Sequence, residues 1–310
     1  MSKALQRYVR VVVSLGLLGY LVSILDWTLV STLSVGALGY LLVSAGIVLV
    51  ALLLMSARWK LIIDHELGTG VSYLLLYRYY LMGSFFSIFL PSSIGGDMVR
   101  VAYSNKEFSL GWKRAAGIVV SERLFGLSAL AMLFALGFLV NGPLLQSIGV
   151  PSYIAWLAVI AAVAIFFVAK HLAAKKIKID YGNATVMLVL SGLGQMGDVI
   201  IVFLMAGYFQ QSVTLLELVV VMPLVYIATM LPISLGGVGV REGVMVGLLA
   251  FLGVNTSIAI LIALTLYLSK VTVGLLGAVC YYRSDKISIS EIEKERMAGP
   301  QNPSVTLRSN

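Results

Sequence analysis

Charged side chains are scarce in this chain of 310 residues. Asp, Glu, Lys and Arg together account for 12% of the sequence, whereas hydrophobic residues account for 60%. A water-soluble fold cannot bury that much apolar surface, so the composition predicts a polytopic α-helical membrane protein. The net charge of +8 does not indicate nucleic-acid binding, because the basic residues flank apolar segments and form no continuous stripe.

Cysteine and histidine are almost absent. Cys280 is the single cysteine, which excludes an intrachain disulfide and a thiolate metal cluster. His65 and His171 are the two histidines, and both lie in polar connections, so no metal site is expected within the membrane. The sequence also contains no His-Glu-x-x-His motif, no phosphate-binding glycine loop and no nucleophile elbow. We therefore expect no cofactor, no catalytic residue and no enzymatic activity.

Apolar runs set the number of membrane segments. Six runs are long enough to span a bilayer, near residues 8–25, 33–55, 115–139, 152–169, 184–206 and 257–281. Two further runs, 71–90 and 215–231, each end at a proline and a glycine pair, and shorter runs follow at 94–103 and 238–252. Because the run 94–103 is too short to cross about 30 Å of hydrocarbon, each pair of runs is predicted to form a re-entrant helical hairpin.

Proline is rare, and two of the seven prolines stand in a motif that occurs twice. The motif reads LPSSIGGDMVR at residues 90–100 and LPISLGGVGVR at residues 231–241, with Pro, Gly-Gly and the final Arg in the same register. Pro and Gly interrupt helices. The predicted helix-breaking residues are Pro91, Gly95, Gly96, Pro232, Gly236 and Gly237.

After each predicted break a short helix begins. Its first backbone N–H groups are unpaired, and its N-terminus is the positive end of the helix dipole. An arginine follows one turn later, as Arg100 in the first copy and Arg241 in the second. Within lipid, a broken helix is tolerated only where its freed backbone groups face protein or a wet cavity. The motif therefore predicts an anion-binding site inside the membrane, built twice.

The distribution of basic residues predicts the topology. The connections near 26–32, 140–151, 207–214 and 253–256 contain no Lys or Arg. The predicted cytoplasmic segments contain Arg58, Lys60, Arg78, Lys106, Lys113, Arg114, Lys170, Lys175, Lys176, Lys178, Arg283 and Lys286. This asymmetry predicts that both termini lie in the cytoplasm, and the expected location is the cell (cytoplasmic/inner) membrane.

The chain then divides into two halves of the order span, span, hairpin, span. Repeat one covers about 5–140 and repeat two about 150–283, and three crossings between equivalent points make the second repeat inverted. The residues 284–310 are predicted to be a polar, largely disordered cytoplasmic tail. Inverted repeats with broken helices at mid-depth are typical of secondary transporters.

Ionisable residues within the membrane are costly unless they are paired or hydrated, so each is a candidate functional residue. The candidates are Asp97, Arg100, Glu122, Arg123, Asp198, Arg241, Glu242 and Lys270. Arg100 and Arg241 either contact an anionic ligand or form structural ion pairs with their neighbours in sequence. Asp198 and Lys270 either form a buried ion pair or act as a proton or cation relay.

Several motifs resemble the transmembrane part of the lysylphosphatidylglycerol synthase/flippase family. They are the two repeated motifs, the step SERLFG at 121–126, and Arg58 followed by Trp59. The resemblance covers about residues 5–283 and implies a flippase-like transmembrane domain over 1–283, without the cytosolic synthase domain. In this family the region is similar to a flippase that moves an aminoacylated phospholipid between leaflets.

The expected function is translocation of a phospholipid or related anionic lipid. Arg100 and Arg241 would bind the phosphate, and Asp97, Glu122 and Glu242 would bind cationic headgroup parts or hold the arginines in place. Membrane lipids are thus the expected partners, and a homo-oligomer is compatible with the pattern. Two alternatives stay open. One is an intramembrane enzyme with Glu122 or Asp198 as base; the other is an accessory subunit that presents lipid to a separate synthase or glycosyltransferase.

Overall fold

The structure is a computed structural model that describes residues 3–31, 35–89, 95–141, 151, 153–177, 180–230 and 237–284. Within these ranges the chain forms α-helices joined by turns and contains no β-strand, so the predicted all-α fold class is confirmed. The described helices are α1 (Lys3–Ser23), α2 (Trp27–Ser31), α3 (Val35–Leu67), α4 (Tyr73–Phe89), α5 (Gly95–Phe108), α6 (Trp112–Val140), α7 (Tyr153–Ile177), α8 (Tyr181–Tyr208), α9 (Leu215–Met230), α10 (Val240–Phe251) and α11 (Thr256–Tyr282).

Four of these helices, α3, α6, α8 and α11, are long and apolar enough to cross a membrane. They contain four of the six predicted spans. The other two predicted spans fall in α1 and α7, whose described apolar parts are the shorter Val11–Ser23 and Trp156–His171. Helix α3 extends to Leu67, so the polar residues after its apolar run, including His65, continue the helix and do not form a loop.

Large apolar side chains cover much of the outer surface, whereas several charged side chains lie inside. Val35 is 87% exposed, and exposed aliphatic and aromatic residues continue along α1, α3 and α7. By contrast, Arg58, Arg100 and Glu122 are buried. This distribution suits a protein whose surface contacts hydrocarbon and whose interior holds its polar groups.

Helix α4 and helix α5 pack against each other in antiparallel directions. Tyr79 stacks on Tyr103 with ring centroids 4.5 Å apart, and one to two turns nearer the connection Gly83 lies against Gly96. A Cβ atom at Gly96 would overlap the Gly83 carbonyl oxygen, so the absence of a side chain permits this approach. Gly95 and Gly96 thus begin α5 and are buried in the hairpin.

The second motif precedes α10. Gly237 and Gly239 both have a φ of +84°, a conformation that residues with a Cβ rarely adopt, and they form the turn before the helix. Helix α10 packs against α9, and Thr229 lies next to Gly237. The predicted helix-breaking residues Pro91, Pro232 and Gly236 lie outside the described residues.

The helix contacts occur in related pairs. In the first pair, α4 packs on α11 and α9 packs on α6. In the second pair, α3 contacts α11 and α8 contacts α6. In the third pair, α5 contacts α6 and α10 contacts α11. Exchanging α3 with α8, α4 with α9, α5 with α10 and α6 with α11 converts each contact of a pair into the other. Helix α3 also packs directly on α8, where Met55 meets Gly194 and Ala51 meets Gly197. The outermost helices differ, since α7 packs mainly on α6 whereas α1 contacts α10.

We predict that Gly277→Ala destabilises the protein by about 1–3 kcal/mol, the usual cost of overpacking. The added methyl group would overlap the carbonyl oxygen of Leu81, where α11 crosses α4. Thermal unfolding in detergent measures the change. The matched control is Gly192→Ala in α8, because no described atom lies within 4 Å of a methyl group built there. A helix-interior Ala should be neutral or slightly stabilising in the control, and equal unfolding temperatures for both variants would contradict the close α4–α11 contact.

Candidate functional site

A cavity of about 600 Å³ lies between the helices that carry the predicted site residues. Its walls come from α3, α4, α5, α6, α8, α9, α10 and α11, and its volume is typical of ligand sites. Six predicted site residues line it: Asp97, Arg100, Arg123, Asp198, Arg241 and Lys270. The arginines of both motif copies, Arg100 and Arg241, therefore face one space.

Glu122 lies behind the cavity wall and is fully buried. Its Oε1 accepts hydrogen bonds from Nε and Nη2 of Arg58, at 3.1 and 2.7 Å, and from the hydroxyl of Tyr80. Its Oε2 accepts a hydrogen bond from Nη1 of Arg100 at 2.5 Å. One carboxylate of α6 thus binds side chains from α3, α4 and α5.

Arg100 is held on several sides. Besides its bond to Glu122, it donates through Nη2 to Asp97, which also accepts a hydrogen bond from Arg123. The Arg100 guanidinium lies 4.3 Å from the ring centroid of Tyr80 and 5.6 Å from that of Trp59, as in cation–π contacts. We call Arg58, Tyr80, Asp97, Arg100, Glu122 and Arg123 the first charge cluster. It contains three guanidinium groups and two carboxylates, so it presents a cationic excess to the cavity.

A second charge cluster consists of Asp198, Tyr226, Arg241, Glu242 and Lys270. Asp198 accepts hydrogen bonds from the Lys270 ammonium and from the Tyr226 hydroxyl. Arg241 donates through Nε and Nη2 to Oε1 of Glu242, at 3.0 and 2.6 Å. The other Glu242 oxygen accepts from the backbone N–H of Gly239 at 2.7 Å, which ties the arginine to the turn before α10.

The structure contains every ion pair considered on sequence grounds. Asp97 pairs with Arg100, Glu242 with Arg241, and Asp198 with Lys270. Glu122 and Glu242 do not line the cavity, and their carboxylates bind the arginines that do. Among the described residues, no group of three His, Cys, Asp or Glu side chains is arranged to hold a metal ion.

Arg58 differs from the sequence-based expectation. The charge pattern counts it among the basic residues of the predicted cytoplasmic segments and not among the candidate functional residues, but in the structure it is 5% exposed and ion-paired with Glu122. Its Nη1 also donates to the Ser191 hydroxyl at 2.6 Å. The expectation failed because a basic residue near the end of an apolar run looks like a flanking charge, whereas its partner lies 64 positions further along the chain.

Two further polar residues on α8, Ser191 and Gln195, belong to the site and were missed in the sequence. Ser191, Gln195 and Asp198 follow the spacing i, i+4, i+7 and so share one helix face. Gln195 and Asp198 line the cavity. The spacing of these polar residues within the apolar run 184–206 is visible in the sequence and is the signal that could have identified Ser191 and Gln195.

Comparison with protein families matches residues 7–277 to the lysylphosphatidylglycerol synthase TM region. The chain belongs to this family. The resemblance inferred from the repeated motifs is thereby confirmed, and the matched range includes every residue of both charge clusters. Membership in this transmembrane family, together with the four long apolar helices, indicates a multi-pass membrane protein with a lipid-related role. No curated protein matches the chain.

We predict that Glu122→Gln lowers the free energy of unfolding by about 3–5 kcal/mol, because it leaves the buried Arg58 and Arg100 without their shared counter-charge. Thermal and denaturant unfolding in detergent measure the loss. Glu217→Gln is the matched control: Glu217 accepts a hydrogen bond from Thr214 near the exposed start of α9, and its change should cost about 1 kcal/mol or less. Equal stabilities would show that Glu122 does not hold the arginines.

A double-mutant cycle tests the Asp198–Lys270 pair. Asp198→Asn and Lys270→Met each leave one charge without its partner, so the double variant should be more stable than the sum of the single losses predicts. We expect a coupling energy of about 0.5–3 kcal/mol. Unfolding of the four proteins at one pH provides the measurement, and strict additivity would contradict the contact.

Proposed function

We propose that this protein is a lipid translocator, which moves a phospholipid or a related anionic lipid between membrane leaflets through the cavity. The observation that carries this proposal is that Arg100 and Arg241, one from each copy of the motif, line the same space. Arginine is suited to phosphate because its planar guanidinium donates paired hydrogen bonds. The lipid tails would stay in the bilayer while the headgroup passes the two clusters.

The helix lengths support re-entrant hairpins. Helix α5 has 14 residues and α10 has 12, which correspond to about 21 and 18 Å. Both are shorter than the hydrocarbon core of about 30 Å. In the proposed arrangement, α4–α5 and α9–α10 enter from opposite sides and end near the middle of the membrane.

The paired helix contacts support two inverted repeats, over about 5–140 and 150–283. In this arrangement α3, α4, α5 and α6 of the first repeat correspond to α8, α9, α10 and α11 of the second. Rocking of one repeat against the other would expose the cavity to each leaflet in turn, as in transporters of this design. The positive-inside charge pattern favours cytoplasmic termini, and the proposed location is the inner membrane.

The cationic side chains of the two clusters differ in how exposed they are. The Arg100 side chain is 7% exposed, whereas those of Lys270 and Arg123 are 29% and 42% exposed. We therefore assign first contact with the phosphate to Arg123, Lys270 and the partly exposed Arg241. Arg100 forms the deeper contact. Glu122 and Glu242 act by holding Arg100 and Arg241 in place.

The Asp198–Lys270 pair is the proposed site of coupling to the driving force. Protonation of Asp198 would remove its charge and weaken its attraction for Lys270, whose ammonium would then bind the phosphate more readily. A proton gradient, the membrane potential or a lipid gradient could supply the energy through this pair.

We predict that Arg241→Gln reduces leaflet exchange of an acyl-chain-labelled anionic phospholipid by at least about tenfold, as expected for loss of a charge-assisted hydrogen bond. The assay uses purified protein in reconstituted vesicles, and size-exclusion chromatography checks folding. Arg283→Gln is the matched control, because Arg283 is an exposed arginine at the end of α11 that does not line the cavity. It should exchange lipid at the wild-type rate.

Arg100→Gln should also reduce exchange, and unchanged rates in both folded cavity variants would refute the site. Mass spectrometry of the exchanged lipid separates transport from catalysis. A translocator leaves the lipid chemically unaltered, whereas an intramembrane enzyme changes its mass.

A further inference from the structure

The two charge clusters contain one more cationic side chain than carboxylates. The cationic side chains are Arg58, Arg100, Arg123, Arg241 and Lys270, and the carboxylates are Asp97, Glu122, Asp198 and Glu242. All the cationic groups line the cavity, as do two of the carboxylates, and the other two bind arginines that line it. At neutral pH the described ionisable groups of the two clusters therefore carry one net positive charge.

The excess positive charge lies in the first charge cluster. Arg58 and Arg100 share the carboxylate of Glu122. Arg100 and Arg123 share that of Asp97, so three guanidinium groups contact two carboxylates. With 42% exposure, Arg123 is the most exposed cationic side chain of the two clusters. Since Arg123 also lines the cavity, the excess charge is accessible to a ligand there.

The second charge cluster does not reverse this sign. Arg241 contacts Glu242 and Lys270 contacts Asp198, so the numbers of cations and carboxylates are equal. The backbone acts in the positive direction, because α5 and α10 both begin beside the cavity and a helix N-terminus is the positive end of its dipole. The cavity as a whole therefore has a positive potential.

Net charge is the property that separates the possible headgroups. A charge without compensation is costly inside a bilayer, because little water is present to screen it. A headgroup with one negative charge brings the ionisable groups of the two clusters to neutrality. A zwitterionic headgroup leaves the positive excess in place, and an aminoacylated headgroup with a net positive charge increases it.

We infer that the cavity binds lipids whose headgroup carries one net negative charge, a phosphodiester with only uncharged groups beyond the phosphate. It selects these lipids over zwitterionic and aminoacylated phospholipids. This inference rests on the proposed function and deepens it, because it names the headgroup class. The phosphate meets the excess charge at Arg123, and the uncharged end of the headgroup brings no further cation to the clusters.

Exchange assays with three acyl-chain-labelled lipids test the inference. Phosphatidylglycerol has one negative charge, phosphatidylethanolamine is zwitterionic, and lysyl-phosphatidylglycerol has a net positive charge. Each is a trace component of the same phosphatidylcholine vesicles, so the surface charge of the membrane is constant. The wild-type protein should exchange phosphatidylglycerol at least about tenfold faster than phosphatidylethanolamine, which leaves one charge uncompensated. Lysyl-phosphatidylglycerol should be the slowest.

Removal of the excess charge should remove this preference. Arg123→Gln leaves equal numbers of cations and carboxylates in the clusters, so phosphatidylethanolamine should then exchange at least as fast as phosphatidylglycerol. Arg123→Lys keeps the charge and should keep the preference for phosphatidylglycerol. The matched control Arg283→Gln removes an arginine that does not line the cavity, and it should also keep the preference. Size-exclusion chromatography checks the folding of each variant.

Thermal unfolding of the wild-type protein gives a second reading that needs no variant. In nonionic detergent, phosphatidylglycerol should raise the unfolding temperature more than phosphatidylethanolamine does at the same concentration. Glycerophosphoglycerol has the same headgroup and charge but no acyl chains, so it should stabilise the protein less. An equal effect of this soluble anion would show that the cavity binds free phosphodiesters, and would overturn the selection of a lipid.

The outcomes separate this inference from the function on which it rests. Absence of exchange for all three lipids would refute the translocator, and the unfolding temperatures would then decide the charge selection alone. Equal exchange rates or equal unfolding temperatures with phosphatidylglycerol and phosphatidylethanolamine would overturn the charge selection. A preference for phosphatidylglycerol that persists in folded Arg123→Gln would overturn it as well.

Discussion

The buried carboxylate of Glu122 is the interaction on which the geometry of the first charge cluster depends. Arg58, Tyr80 and Arg100 come from three different helices, and all donate to it. Helices in a bilayer gain little from hydrophobic association with each other, so packing and polar contacts must determine how they fit together. By binding three donors, Glu122 fixes the position of α5 and with it the direction of the Arg100 guanidinium.

The second charge cluster uses the same plan with the charges reversed. Asp198 on α8 occupies the helix that corresponds to that of Arg58, and Lys270 on α11 the helix that corresponds to that of Glu122. In both clusters a tyrosine donates to the carboxylate: Tyr80 of α4 to Glu122, and Tyr226 of α9 to Asp198. The first carboxylate is sealed beneath the wall, whereas Asp198 lines the cavity. Glu122 is therefore suited to hold the arginines of the first cluster in place, whereas the carboxylate of the second cluster is open to the cavity.

The sequence predicts features that depend on composition and local spacing. An apolar composition predicted the helices, and the rule that intramembrane charges need partners predicted the candidate residues. An ion pair at the spacing i, i+3, such as Asp97 with Arg100, follows from helix geometry. The environment of Arg58 was not predicted, because a basic residue near the end of an apolar run looks like a flanking charge, whereas Asp198 and Lys270 lie near the middle of their runs. The Gln195 amide nitrogen likewise donates to the backbone carbonyl of Gly126, and a pattern of side chains in the sequence does not reveal a contact with a backbone group.

Paired charges and ligand binding are compatible in such a cavity. A guanidinium has five N–H donors, and Arg241 directs its Nε and Nη2 groups to Glu242. A phosphate can therefore bind the remaining donor positions without first breaking the ion pair. Moving a charged headgroup across hydrocarbon requires that no charge be left alone at any step. Clusters in which each cation already contacts a carboxylate meet this requirement before any ligand binds, and in the proposed function a lipid phosphate would add a further partner.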